Sequence, residues 1–538
     1  MPSQEVKPKL FLRKASGLVR EVGPITAIAY VMSYAIGGGV HRLYYFAAYW
    51  WPGANVIISS LIVALASFVL FIVYAFMLAA MPRTGGDYLY VSRIINPFLG
   101  FLSSWGWFVG AQMCIGFLAW LAVDSFGAVF SIYGALTGNM GVSSIGSTLG
   151  FNYPIKAGVT AAIVIFFGIT TLLGLRVHKY MIQLFWIIPL LAAIPMFASF
   201  IMNTPQTVQV GWDNLFGAGV YNKIIELAHR TGFNDAKFTT FDLTATLNAA
   251  SVPIWTWVGV YSCLPIIGGE IKGVKKKFFG LTMVCWVIIA AYYTLLPYFT
   301  FNAYGPLFTT QYIWVYKNAY TDLSAIIPHP PPPTAGLFAA PLLPGPLALF
   351  VAAAIPFWML NYVPAAYLIC SRLIFGWSFD RFFPEKFGDV SEKWHSPHWA
   401  VLLTIVLGVV SIYPTAAVEL GLWGANVGAL DQTPIWWFST IPVCWAAIIL
   451  PYTRKDIYES GLKAEIFGVP IITIAGLIGS FVTFWLWWIS ILAVPAWPDA
   501  FMLCALMFIG AIIYWIYYVL NTRRGIDVAT IYAQVPPT

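Results

Sequence analysis

Charge is what this 538-residue chain has least of: Asp, Glu, Lys and Arg make up 9% of it, against about a quarter in an ordinary soluble domain. Water is therefore not its main solvent. Cysteine is scarce as well. Cys114, Cys263, Cys285, Cys370, Cys444 and Cys504 all fall in hydrophobic stretches with no C-x-x-C pair, which excludes a disulfide framework or thiolate metal cluster and leaves small packing residues. There is no H-E-x-x-H and no G-x-x-x-x-G-K-[ST], so the patterns of intramembrane metalloenzymes and nucleotide-driven pumps are missing. No cofactor and no metal is expected.

What the chain does have is apolar length. Hydrophobic residues make up 60% of it, in stretches long enough to cross a hydrocarbon core of about 30 Å as helices. Twelve spans are expected, at 24–50, 54–81, 98–131, 155–174, 180–202, 248–270, 279–303, 346–371, 399–417, 434–451, 468–493 and 499–520. The first is too long for a signal h-region, so no cleaved signal is expected. The net charge of +7 reports orientation rather than a nucleic-acid partner. All Lys and Arg except Arg42, Lys156, Lys223, Arg230, Lys237 and Lys317 fall on one side of this segmentation, which places both termini in the cytoplasm of a plasma-membrane protein.

The expected organisation is a cytoplasmic amphipathic segment at 1–23, a five-helix repeat at 24–202, an extracellular loop at 203–247, a second five-helix repeat at 248–451, helices 11 and 12 within 452–520 and a cytoplasmic tail at 521–538. Residues 9–24, "KLFLRKASGLVREVGP", read as a surface helix. The outer connections carry "YNKIIELAHRTGF", with apolar residues at helical spacing, and the polyproline spacer "PHPPPPT"; both are expected to lid the outer face. The 24 tryptophans are expected mostly at interfaces and against lipid, so Trp358 and Trp436 receive no role.

Two spans are interrupted. Gly37, Gly38 and Gly39 break the first, and Pro253, Gly259 and Pro265 break the sixth, five spans later. Paired interruptions at corresponding places in two halves are the mark of an inverted repeat with its binding site at the breaks. Each glycine costs a helix about 1 kcal/mol relative to alanine, and freed backbone groups at membrane depth need a protein or polar partner. A half-helix beginning near Val40 presents N–H groups suited to a carboxylate. One ending near Trp257 presents carbonyls suited to an ammonium. The competing reading of the glycines is close helix packing.

Ionisable residues within spans are functional candidates by default. Arg42 either faces the cavity and favours a carboxylate, pairs with Asp124, or snorkels outward. His41 either relays protons or is a hydrogen-bonded packing residue, and with Asp124 it is a candidate for ion coupling. Gln112 and Asn361 either line the cavity or bond a neighbouring helix.

Several segments in series resemble the amino acid-polyamine-organocation (APC) transporters: "AIGGGV", "MPRTGGDYLYVSRIINPFLGFLSSW", "WTWVGVYSCLPIIGGEIKGVKKKF" and "SRLIFGWSFDRFFPEKFGDVSEKWHSPHWA". The resemblance implies an all-α polytopic fold with a 5+5 inverted repeat and discontinuous helices 1 and 6. It also implies an amino acid permease or exchanger working by alternating access, with a transporter-derived sensor and a polyamine or organic-cation carrier of the same fold as alternatives. Gly37 to Gly39 match the bend that holds substrate carboxylate, Trp255 an outer gate, and Trp257, Val258 and Gly259 the bend that receives the amino group. Tyr261 stands where the arginine-agmatine branch places an acid. Pro189 stands near a lysine that some members use in place of a cation. Between Phe338 and Cys370 there is neither serine nor threonine, which disfavours a sodium site of the kind built on hydroxyls of span 8. The expected partners are a small amino acid and membrane lipid; the residues define no oligomeric state.

Overall fold

The computed structural model describes residues 16–273, 275–422, 433–492 and 497–536, with 275–277 and 497–500 described by backbone alone. Eleven helices among the described residues are long and apolar enough to cross a membrane. They are Val56–Ala80, Pro97–Thr137, Tyr153–Leu172, Leu175–Met202, Leu243–Ile266, Phe278–Tyr304, Gly345–Phe379, His398–Glu419, Thr433–Thr453, Ile471–Leu492 and Phe501–Arg523. The interrupted segment Pro24–Trp50 precedes them and completes the twelve expected spans. The protein is an all-α polytopic membrane protein.

The third span, Pro97–Thr137, is the axis of the bundle and packs on spans 4, 8, 9, 10 and 12. At 41 residues it runs about 60 Å, twice the hydrocarbon thickness, so it must tilt or project beyond it. Small residues let its neighbours close in. The Gly110 face lies against the Trp436 indole and the Gly116 face against the backbone of Ser411. Outer spans show lipid-facing stripes instead: Leu184, Ile187, Leu191 and Ile194 recur at three- and four-residue spacing on span 5 and are all exposed.

Two expectations need correction. Residues 1–15 of the amphipathic segment lie outside the described residues, and 16–23 is not helical. It runs as irregular chain ending in a parallel bridge between Val22 and Ile271, with the amides of Glu21 and Val22 each 3.0 Å from Glu270 O. Glu465–Ile466 and Val469–Pro470 form an antiparallel hairpin that the apolar pattern hides. Trp358 and Trp436, to which the sequence gives no role, are fully buried in the bundle, as are Trp107, Trp120, Trp212, Trp257, Trp377 and Trp437.

The connections 203–247 and 304–345 contain Pro205–Phe216, Val220–Arg230 and Phe308–Asn318, and they pack on each other. Tyr221 stacks on Phe308 at 3.9 Å between ring centroids. The "PHPPPPT" stretch forms no helix or strand, and the Tyr312 hydroxyl donates to Pro331 O at 2.6 Å.

Candidate functional site

Helix Pro24–Ala35 ends where Ile36 turns extended (φ −85°, ψ 103°), its amide closing on Met32 O at 2.8 Å. The chain then passes Gly37 and Gly38 and re-enters helix through a π-turn, Gly39–Leu43, that continues as Tyr44–Trp50. The first N–H groups of a new helix have no partner within it, so the amides here head into the interior of the bundle. In the sixth span, helix Ser251–Trp257 stops at Val258 (ψ 127°). Gly259 follows at φ 79°, and the chain resumes as a 3-10 turn, Val260–Ser262, and one turn of α-helix, Cys263–Ile266. A side chain at Gly259 would carry left-handed strain.

The two breaks touch. A Cβ on Gly39 would lie 2.0 Å from Thr256 Cγ2 and 3.2 Å from the Trp255 ring, so both readings of the glycine run hold: the chain unwinds at 36 and 37 and packs closely at 39. Span 7 ties the broken ends together. The Tyr293 hydroxyl reaches the carbonyl of Ala35 and, at 3.2 Å, that of Thr256. Tyr44 Oη lies 3.2 Å from Thr256 Oγ1. His41 is fully buried, with Nδ1 2.9 Å from Gly37 O, Nε2 2.9 Å from Tyr292 Oη and its ring stacked on Trp358 at 5.5 Å. It is placed as a packing residue whose two nitrogens are both engaged.

Gly259 is packed tightly on one side: a Cβ there would meet the Trp107 indole at 1.9 Å. Trp257 is buried edge-on to Phe71 and Tyr293, Trp255 lies edge-to-face on Phe117 at 5.9 Å, and Tyr261 shares a 3.0 Å hydrogen bond with Thr440 on span 10. Polar atoms nevertheless stand idle around the breaks. Both amide atoms of Asn361, Oε1 of Gln112 and the indole nitrogens of Trp107, Trp255 and Trp257 are buried without a protein partner. Asn361 follows Trp358 by one turn, and Trp358 O lies 3.3 Å from where a Gly37 Cβ would be. Gln112 Nε2 donates to Thr404 O at 3.1 Å, so half of that amide bonds a neighbouring helix. Unsatisfied buried polar atoms are uncommon in native interiors, and each one calls for a physical account.

Ion pairs flank the breaks on both sides. Toward one face, Arg42 pairs with Asp124 at 2.8 Å; Lys156 pairs with Asp124 at 2.5 Å and with Glu419 at 2.9 Å. Of the three readings of Arg42, the ion pair is the one present, and the guanidinium is not free to greet a carboxylate. Toward the face that carries both termini, Arg372 grips Glu270 with two 2.8 Å hydrogen bonds, and Arg93 meets Asp380 at 2.6 Å. The Arg93 guanidinium also lies 4.9 Å over the ring of Tyr532, from the C-terminal tail. Lys156, Glu419, Tyr293 and Asp87 escaped the sequence reading. Lys156 sits in the first turn of its span, and that position alone marked it.

A membrane-spanning bundle with two broken helices meeting at its centre, among idle polar atoms and between two ion-paired layers, has the build of a solute carrier. The family model of amino acid permeases matches residues 22–517, and the chain belongs to that family, within the APC superfamily. The family is one of amino acid transporters and not of enzymes. No curated protein matches the chain.

Proposed function

We propose that the protein is a secondary active transporter of amino acids in the plasma membrane, working by alternating access with both termini in the cytoplasm. The observation that carries this reading is the meeting of the two breaks at Gly39 and Thr256, with unpaired polar atoms around it. N–H groups from Gly37 to Val40 suit a carboxylate, and the carbonyl end at Trp257, Val258 and Gly259 suits an ammonium, so the pair matches the head of a zwitterion. Trp255 gates the path, and Asn361 and Gln112 meet the substrate. With Trp107 on Gly259 and ion pairs on both flanks, the conformation corresponds to a closed stage of the cycle.

Uptake of radiolabelled amino acids into proteoliposomes tests the reading. Saturable flux into a trapped volume is expected. Binding without flux would make the protein a sensor, and flux of polyamines alone would move it to the organic-cation branch.

A further inference from the structure

Four carboxylates are buried among the described residues, and three of them have a cation: Asp124 has Arg42 and Lys156, Glu270 has Arg372, and Asp380 has Arg93. Asp87 is the exception. It lies in the connection between spans 2 and 3, wholly inaccessible; Ser262 Oγ at 2.6 Å and Tyr74 Oη at 2.8 Å donate to it, and its own backbone amide also faces it. The remaining titratable or polar side chains around it are Tyr90 on its own helix, Tyr261 and Cys263 on the sixth span, Cys444 on the tenth and the indole of Trp107, which approaches without closing a hydrogen bond. No lysine, arginine or histidine among the described residues pairs with it. A carboxylate in such a setting resolves its desolvation by taking up a proton.

We propose that Asp87 is the proton-binding site of the carrier, loading and releasing one proton per cycle at the joint between the second span and the unwound sixth. The proposal rests on the transport reading above. Burial pushes the Asp87 carboxyl up to about 7, where both states are populated near neutral pH. Ionised, Asp87 accepts from both hydroxyls. On protonation a proton from water neutralises the carboxylate, the new O–H must donate, and the hydroxyl it meets turns from donor to acceptor. Hydrogen bonds to a charged acceptor are roughly twice as strong as neutral ones, so protonation loosens the grip on Ser262. Ser262 closes the 3-10 turn that begins after Gly259, with its amide 3.0 Å from Gly259 O. Loosening it therefore acts on the hinge at Gly259, against which Trp107 of the third span packs.

The test uses the full chain in proteoliposomes with a radiolabelled mixture of standard amino acids. Exchange at symmetric pH and accumulation under an imposed gradient, acidic on the side of entry, are measured in parallel. The native protein should accumulate substrate up to about tenfold per pH unit. In Asp87→Asn, exchange should survive while the gradient-driven excess falls to parity. A variant still driven by the gradient overturns the proposal, as does native protein that exchanges but ignores the gradient. Native protein that neither exchanges nor accumulates refutes the transport reading itself. Should Asp87→Asn abolish exchange too, Ser262→Ala decides: removing one donor to the carboxylate must move the pH midpoint of driven uptake upward, and an unmoved midpoint refutes the role of Asp87.

Discussion

At the scale of single residues, two glycines hold the breaks for different reasons, and alanine separates them. At Gly259 the backbone itself is left-handed and Trp107 fills the space, so Gly259→Ala adds about 1–2 kcal/mol of conformational strain to about 1–3 kcal/mol of overpacking. No single partner change relieves both. At Gly39 the obstacle is mainly one methyl, Thr256 Cγ2, so Gly39→Ala should cost about 1–3 kcal/mol, and Thr256→Ser in the same chain should recover most of it. Thermal unfolding in detergent checks both, and a double variant no better than Gly39→Ala would dismiss the methyl. The ion cluster gives a second ordering. Asp124→Asn strips a partner from both Arg42 and Lys156 and should cost about 3–5 kcal/mol. Arg42→Gln should cost less, because Asp124 keeps Lys156. Melting temperatures that rank the two the other way would mean that the Arg42 contact dominates.

At the scale of elements, the half-helices are aligned by Tyr293 together with the direct Tyr44–Thr256 hydrogen bond. Tyr293→Phe leaves the carbonyls of Ala35 and Thr256 without that donor and should cost about 1–3 kcal/mol. The loss is local, so amide exchange should quicken at 33–39 and 254–259 while the flanks of spans 2 and 7 keep their protection; uniform quickening would deny the tie. Tyr293 also shows where the sequence stops being legible. The breaks could be read because glycine triplets and paired prolines have a local backbone meaning. Tyr293 is one of 29 tyrosines, and its role depends on two carbonyls far away in the chain. Burial of Trp358 and Trp436 was hidden for a related reason: in a span apolar all round, periodicity does not separate the lipid face from the core. Span number and the broken spans were legible from length and composition. The ion cluster around Asp124 was only half legible, since Lys156 and Glu419 sit at span ends with nothing local to mark them as its members.

At the scale of the whole molecule, acidic groups pull the pH dependence of stability in opposite directions. Glu21 and Asp456 lie near the surface, and their carboxyls are held below the usual range by hydrogen bonds from Lys179 and Arg454. Their contributions are present above the unfolded pKa and fade as pH falls, and solvent screening keeps them small. Asp87 has the reverse sign. Its ordinary value is 3.8 and burial raises it to about 7, so between these values the folded chain binds a proton that the unfolded chain releases. Stability from this group is therefore fully present below about 4, declines as pH rises toward 7 and is level above it. The detergent melting temperature should accordingly fall from pH 5 to pH 7 and flatten beyond, about 7 being where the Asp87 carboxyl titrates. Asp87→Asn should remove that slope while leaving the acid-side loss from Glu21 and Asp456. Because the readout needs neither substrate nor gradient, it separates a proton held by the fold from one used in transport. A slope that survives the substitution would assign the titration to another buried group.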